Sequence, residues 1–332
     1  MLFIELLGFL VLILIAAEVF VNALEHLGEQ LKISEGVTGS VFAAVGTALP
    51  ETLIPLLAIF AGGASAQVNE EIGVGAILGA PLMLSTLSLF LMAAAVFRAR
   101  GLNGRLTPEK GGLTRDLNFF LFAFSLSLVA LFVPHDGGWV LTLIAFAMVL
   151  IYFFYVLLTL KASAQLVADG HATEAEEPML LHRLGLPKHF VIILIQLALA
   201  LGLLVLGAKG FIHGVEVAAP SLGVSALVLS LMIVPVATEL PEKVNSILWI
   251  RKRKDTLAFG NITGAMVFQG TLLPAIGVLL TPWVPQKEVL VGVVITLVAS
   301  LWLRLMLGKG LRVWHLGVNG LLYAAYLAIA LS

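Results

Sequence analysis

Two acids set in apolar surroundings carry the chemistry this sequence can do. Glu51 closes Val45-Gly46-Thr47-Ala48-Leu49-Pro50-Glu51, and Glu242 closes Val236-Ala237-Thr238-Glu239-Leu240-Pro241-Glu242, with Thr, Leu, Pro and Glu at the same spacing. A proline within a helix donates no backbone hydrogen bond and crowds the carbonyl four residues back, so Gly46 and Ala237 lose their helical partners. In hydrocarbon a bare carbonyl costs several kcal/mol unless protein, water or an ion supplies a partner. An acid at mid-bilayer costs about 2.5 to 3.5 kcal/mol on insertion scales. Two of them about 5 Å apart repel by roughly 3 kcal/mol more at an effective dielectric of 20. A positive charge between them relieves all of these costs. Two carboxylates and several carbonyls form the hard oxygen donor set that calcium prefers. Protonation relieves the pair in the other way, and a pocket neutralised by one ion or the other is the elementary logic of an antiporter.

Three further side chains stand close to this pattern. Glu239 lies three residues before Glu242, on nearly the same helix face, where it either joins the site or pairs with Lys243 or Arg251. Asn261 and Gln269 are eight residues apart and share a face, where they either coordinate or bond neighbouring helices.

The elements that must position these groups follow from composition. Of 332 residues, 60% are hydrophobic and 12% charged, and mean hydropathy is +1.07; soluble domains carry about 25% charged residues. This is the composition of a polytopic membrane protein, with the lipid bilayer as its main surroundings. The absence of cysteine excludes disulfides and thiolate sites. A bilayer core of about 30 Å takes about 20 apolar residues per helix. Ten such runs occur, near residues 3–27, 37–63, 73–97, 117–133, 139–160, 190–213, 222–250, 257–280, 287–307 and 312–331. The N-terminus lacks a basic leader region, so the first run reads as a retained helix. The polar stretch 161–189 links two halves, 1–160 and 190–332.

The halves repeat one another. An offset of 191 residues places Thr47, Leu49, Pro50 and Glu51 on Thr238, Leu240, Pro241 and Glu242; an offset of 185 then places Gly75, Gly79, Ala80 and Thr86 on Gly260, Gly264, Ala265 and Thr271. Five helices per repeat is an odd number, so the copies run through the membrane in opposite senses, as in many transporters. Loops after the odd-numbered helices hold 16 of the 19 basic residues. That side is therefore cytoplasmic, which puts the linker 161–189 inside and both termini outside. The expected fold is an all-α integral membrane protein of ten transmembrane helices in two inverted five-helix repeats. Helices 2 and 7 are broken at their prolines, and the ion-binding repeats span 37–97 and 222–280.

Gly46-Thr47-Ala48-Leu49-Pro50-Glu51, with Gly75 and Gly79 downstream, resembles the alpha repeats of the sodium/calcium exchanger family, whose pattern is close to Gly-Thr-Ser-Leu-Pro-Glu followed by Gly-Asn-x-x-Gly-Ser-Asn. The second copy is Ala237-Thr238-Glu239-Leu240-Pro241-Glu242, then Gly260-Asn261-Ile262-Thr263-Gly264-Ala265-Met266. The resemblance implies ion sites between helices 2, 3, 7 and 8. By position it assigns the metal-binding roles to Glu51, Glu242, Thr47 and Thr238, with the carbonyls of Ala44 and Pro235 one turn earlier. Departures fall on the sodium ligands. The family serine is Ala80 and Ala265, the Asn or Asp four residues on is Leu84 and Gln269, and the serine before Leu-Pro-Glu is Ala48 and Glu239.

The expected function is a secondary-active antiporter moving calcium or another divalent cation against sodium or protons. It needs no cofactor beyond the transported ions. A passive cation channel and a non-transporting calcium sensor are the other readings. An intramembrane hydrolase is not expected, since no transmembrane aspartate is seen and no Ser-His arrangement stands out. The basic run Arg251 to Lys254 reads as a topology anchor and not as a nucleic-acid contact, and no feature specifies an oligomeric state.

Overall fold

With no water to bond a bare backbone, a chain this apolar closes its hydrogen bonds within helices, and the computed structural model is all-α. It describes residues 2–30, 44–61, 66–134, 138–167, 178–183, 185–187 and 189–332. In chain order the helices are α1 (Leu2–Gln30), α2 (Ala44–Ala61), α3 (Ala66–Arg100), α4 (Lys110–Ala130), α5 (Gly138–Val167) and α6 (Phe190–Leu222). There follow α7 (Ala226–Thr238), α8 (Leu240–Arg251), α9 (Asp255–Gln269), α10 (Leu272–Leu280), α11 (Lys287–Lys309) and α12 (Val313–Ala330). Among the described residues seven spans are long and apolar enough to cross a membrane: α3, α4, α5, α6, α9 with α10, α11 and α12. Residues 31–43 and 168–177, which hold the start of the expected second helix and much of the expected linker, lie outside the described residues.

Two pairings fix the directions of the helices around the site. Gly207, Gly210 and Gly214 of α6 face Ile13, Phe9 and Leu6 of α1 in reverse order, so these helices pack antiparallel. Farther along the same seam, Gln196 donates to Asn22 Oδ1 at 2.9 Å. α3 and α7 instead run parallel. Gly75 approaches Leu227 and Ser230, while Gly79 approaches Leu231 and Pro235. A Cβ at Gly79 would stand 2.5 Å from the Leu231 carbonyl oxygen, so only glycine lets the two backbones close to this distance. Three hydrophobic clusters result among the described residues. One joins α1, α2, α6 and parts of α3 and α7 through residues such as Ile13, Ile54 and Phe211; the largest gathers around Phe120, Phe124 and Phe259; a small third joins Ala23, Met179 and Ile193.

Both expected ion-binding repeats are distorted at matched places. α3 contains a π-helical turn at Leu84–Ser88, and the corresponding stretch of the second half breaks between α9 and α10 at Gly270 and Thr271. The same threonine serves each distortion: Thr86 Oγ1 donates to the Leu82 carbonyl and Thr271 Oγ1 to the Val267 carbonyl. The expected break at Pro241 is present between α7 and α8. Its counterpart at Pro50 is not, since α2 is continuous from Ala44 to Ala61. The eighth expected helix is two helices, for the reason just given.

The fourth expected helix begins earlier than 117. Glu109 caps α4 by accepting from the backbone N–H groups of Gly111 and Gly112, a polar start that the apolar count could not register. These bonds, Gly112 first, hold the Glu109 carboxyl below its usual range. Its stabilising effect is therefore present above about pH 4 and is lost as pH falls through the lowered value. The earlier start also places Asp116 inside a spanning helix, buried, which corrects the expectation that no aspartate lies in the membrane body. Asp116 accepts from Tyr155 Oη at 3.1 Å and Thr263 Oγ1 at 2.8 Å, tying α4 to α5 and α9.

A second polar tie joins the end of α3 to the start of α9. Arg100 meets Asp255 with both arms, at 2.9 and 2.8 Å, and Thr107 N donates to the same carboxylate at 2.8 Å. Both side chains are buried. Arg100→Ala should therefore destabilise the fold by about 3 to 5 kcal/mol, because it strands a buried charge. Thermal melting in detergent would show it, with Arg100→Met combined with Asp255→Leu melting above Arg100→Ala alone; equal losses would mean the tie contributes only shape.

Candidate cation site

The site is built where α7 gives way to α8. The chain leaves helical geometry at Glu239 (φ −84°, ψ 7°), and Pro241 falls in the first turn of α8, where a missing N–H is not needed. The break turns Glu239 and Glu242 inward together. Across from them, α2 brings Glu51. One carboxylate oxygen from each of Glu51, Glu239 and Glu242 lies within 4.8 Å of the others. Relative exposures are 3%, 0% and 6%, so water screens none of them.

Among the described residues, four carboxylate oxygens here have no hydrogen-bond partner: both of Glu51, Oε2 of Glu239 and Oε2 of Glu242. Glu239 Oε1 accepts from Gln269 Nε2 at 2.6 Å, which leaves Gln269 Oε1 bare as well. Buried polar atoms are nearly always partnered. A cluster of bare, inward oxygens is a donor set in search of a cation or protons. At about 5 Å and an effective dielectric of 20, each pair of charges repels by roughly 3 kcal/mol.

The expected site residues fall into three groups. Glu51, Glu242 and Glu239 come together, and Gln269 Nε2 donates to Glu239 Oε1 beside them. Asn261 is adjacent but serves as a brace: its Nδ2 donates to the Glu242 carbonyl and to Ser246 Oγ, both at 3.0 Å. Thr238 Oγ1 donates to the Val234 carbonyl at 3.2 Å, which leaves the lone pairs of the hydroxyl oxygen able to accept. The carbonyl of Pro235 is already taken, by Lys243 Nζ at 2.7 Å and by the N–H of Glu239 at 3.3 Å. Thr47 and Ala44 lie in the first turn of α2, with Thr47 one turn before Glu51; their side chains lie outside the described residues.

Sequence reasoning named Lys243 only as a possible ion-pair partner, and did not place it in the pocket. The signal was its position one helical turn after Glu239, which puts both on one face. Lys243 is 7% exposed, and its ammonium also lies 2.9 Å from Met83 Sδ on α3.

A helical membrane protein with crowded acids at a helix break is of the ion-transporter class. The family model described as sodium/calcium exchanger protein matches residues 1–161 and 192–332, and the chain belongs to that family. The matched blocks leave out 162–191, nearly the stretch read as the linker. The chain is 26% identical over 284 residues to the CaxA protein of Alkalimonas amylolytica, covering 83% of this chain and 79% of that one. Its fold is shared with the solved H+/Ca2+ exchanger CAX, with a TM-score of 0.72 and 19% identity over 98% of this chain and 82% of that one. The sodium-calcium exchanger NCX_Mj is similar as well, with a TM-score of 0.58 and 20% identity over 99% of both chains.

If the acids repel one another as this geometry requires, Glu51→Gln should raise the melting temperature in EDTA by relieving like-charge strain. The wild-type chain should melt higher when calcium is added, through binding to the folded state, and the same change should abolish that shift. A variant that melts lower in EDTA and still responds to calcium would contradict the assignment.

Proposed function

We propose that this protein is a secondary-active antiporter that exchanges calcium for a monovalent cation by alternating access around Glu51, Glu242 and Glu239. The observation that carries the reading is the meeting of three buried carboxylates with bare oxygens. Such a pocket crosses the membrane at acceptable energy only when loaded. Calcium neutralises two charges in one step, and protons or sodium ions do so in two. Obligatory exchange follows, because the empty pocket is the least stable in either orientation. Glu51 and Glu242 are the main calcium ligands, Glu239 and the Gln269 carbonyl oxygen complete the cage, and Thr238 and Thr47 offer backbone carbonyls.

Protons are the favoured counter-ion. Ala80 and Ala265 remove the hydroxyls that the family resemblance assigns to sodium, while Glu239 adds a group able to carry a proton. The proposed frame is ten membrane crossings in two inverted repeats, 1–160 and 190–332, joined by a cytoplasmic linker at 161–189 with both termini outside. Helix directions support it. If each apolar run crosses once, the first and sixth must be antiparallel and the third and seventh parallel, and the glycine contacts along α1 with α6 and α3 with α7 run in those senses.

Radioactive calcium uptake into proteoliposomes tests the reading. Uptake should rise when an outward proton gradient is imposed, collapse when a protonophore dissipates it, and fall at least about 100-fold in Glu242→Gln, since the change removes a charge-assisted ligand worth about 3 kcal/mol. Uptake driven only by sodium would replace the counter-ion. Flux indifferent to both gradients would indicate a channel, and binding without flux a sensor; either would overturn antiport.

A further inference from the structure

Glu239 and Lys243 are two departures that occur together. The corresponding positions of the first half are Ala48 and Thr52, both uncharged, so the second half has gained one acid and one base a single helical turn apart. Both are buried in the pocket. Lys243 follows Glu239 by one helical turn, and its ammonium makes two close contacts. It is held in place by the Pro235 carbonyl at 2.7 Å and by Met83 Sδ at 2.9 Å. Pro235 corresponds in the repeat to Ala44, whose carbonyl the family resemblance places around the ions. Lys243 therefore puts a covalently tethered cation on a carbonyl that would otherwise face a mobile one.

We infer that Lys243 is a resident cation of the transport pocket, balanced against Glu239, and that the two together fix the charge the pocket draws from solution at that of one divalent ion. This rests on the reading that the cluster holds the transported cation. The arithmetic is direct. Counted as carboxylates and an ammonium around a bound cation, the three acids contribute −3 and Lys243 +1, leaving −2 for the cargo. Without Lys243 the same oxygens would hold an excess charge and draw an additional monovalent ion beside calcium. Without Glu239 the remaining −1 would leave bound calcium overcompensated. Lys243 is thus a specificity-determining residue: it sets how much charge is taken up, while the carboxylates supply the ligands.

The test is a charge-compensation cycle on the full chain in lipid nanodiscs, with calcium chloride titrated calorimetrically in choline buffer. Glu239→Gln should weaken calcium binding at least about tenfold and Lys243→Met should tighten it by a similar factor, since each changes the pocket by one charge. Lys243→Met should also make calcium affinity depend on added sodium or potassium, which compete for the excess charge. The double variant should return to within about threefold of wild type, and Lys243→Gln carries the same expectations should the methionine variant fail to fold. A double variant as weak as Glu239→Gln alone, or a Lys243→Met that loses affinity, overturns the balance while leaving the transport reading standing. A wild-type chain that takes no calcium overturns both.

Discussion

Like charges confined where water cannot reach them are the constraint on which this structure depends. Glu51, Glu239 and Glu242 gather in a pocket that screens none of them, and their mutual repulsion is of the same order as the whole stability of an ordinary domain. The surroundings meet part of that demand. Gln269 donates to one oxygen of Glu239, Asn261 braces the Glu242 carbonyl, and Lys243 adds a tethered positive charge. What remains are bare oxygens facing one another. An exchanger needs that unmet demand, because a pocket satisfied by its own protein would have no reason to load.

The rest of the molecule holds the acids against their tendency to separate. The break after Thr238 and the proline in the first turn of α8 aim two of the three, and α2 delivers the third. The close crossing of α3 on α7 through Gly75 and Gly79 forms a rigid wall beside them. Ties between polar groups lie farther out, at Asp116 with Tyr155 and Thr263 and at Arg100 with Asp255. Both are fully bonded, unlike the central cluster. The contrast separates acids that secure the fold from acids whose oxygens are left without partners among the described residues.

Much of this was legible in the residues themselves. Composition and the length of apolar runs set the class, and the duplicated Thr-x-Leu-Pro-Glu pointed to Glu51 and Glu242 because a buried acid beside a proline is costly anywhere else. Boundaries set by polar caps were not legible. Hydropathy placed the start of α4 at 117 and so left Asp116 outside, whereas Glu109 capping Gly111 and Gly112 begins the helix a full two turns sooner. Equivalent prolines also did not give equivalent breaks. Proline removes a hydrogen bond without dictating that the helix part there, and tertiary packing chose a break at Glu239 while α2 runs through Pro50. Nor could spacing alone decide between the functions open to Lys243, since a side chain of that length reaches solvent, a neighbouring acid or a backbone carbonyl from the same position. The helix ladder hides Pro235 as a ligand for a similar reason: only the folded arrangement shows that its oxygen is already occupied.

The central claim is that the three acids share one ion. A structure of the chain soaked in calcium, with the anomalous signal of the ion located, tests it most directly. The account predicts a single peak with oxygens of Glu51 and Glu242 at about 2.3 to 2.6 Å, and Lys243 still on the Pro235 carbonyl. A peak elsewhere in the protein, or these carboxylates turned apart with no ion between them under saturating calcium, would contradict it.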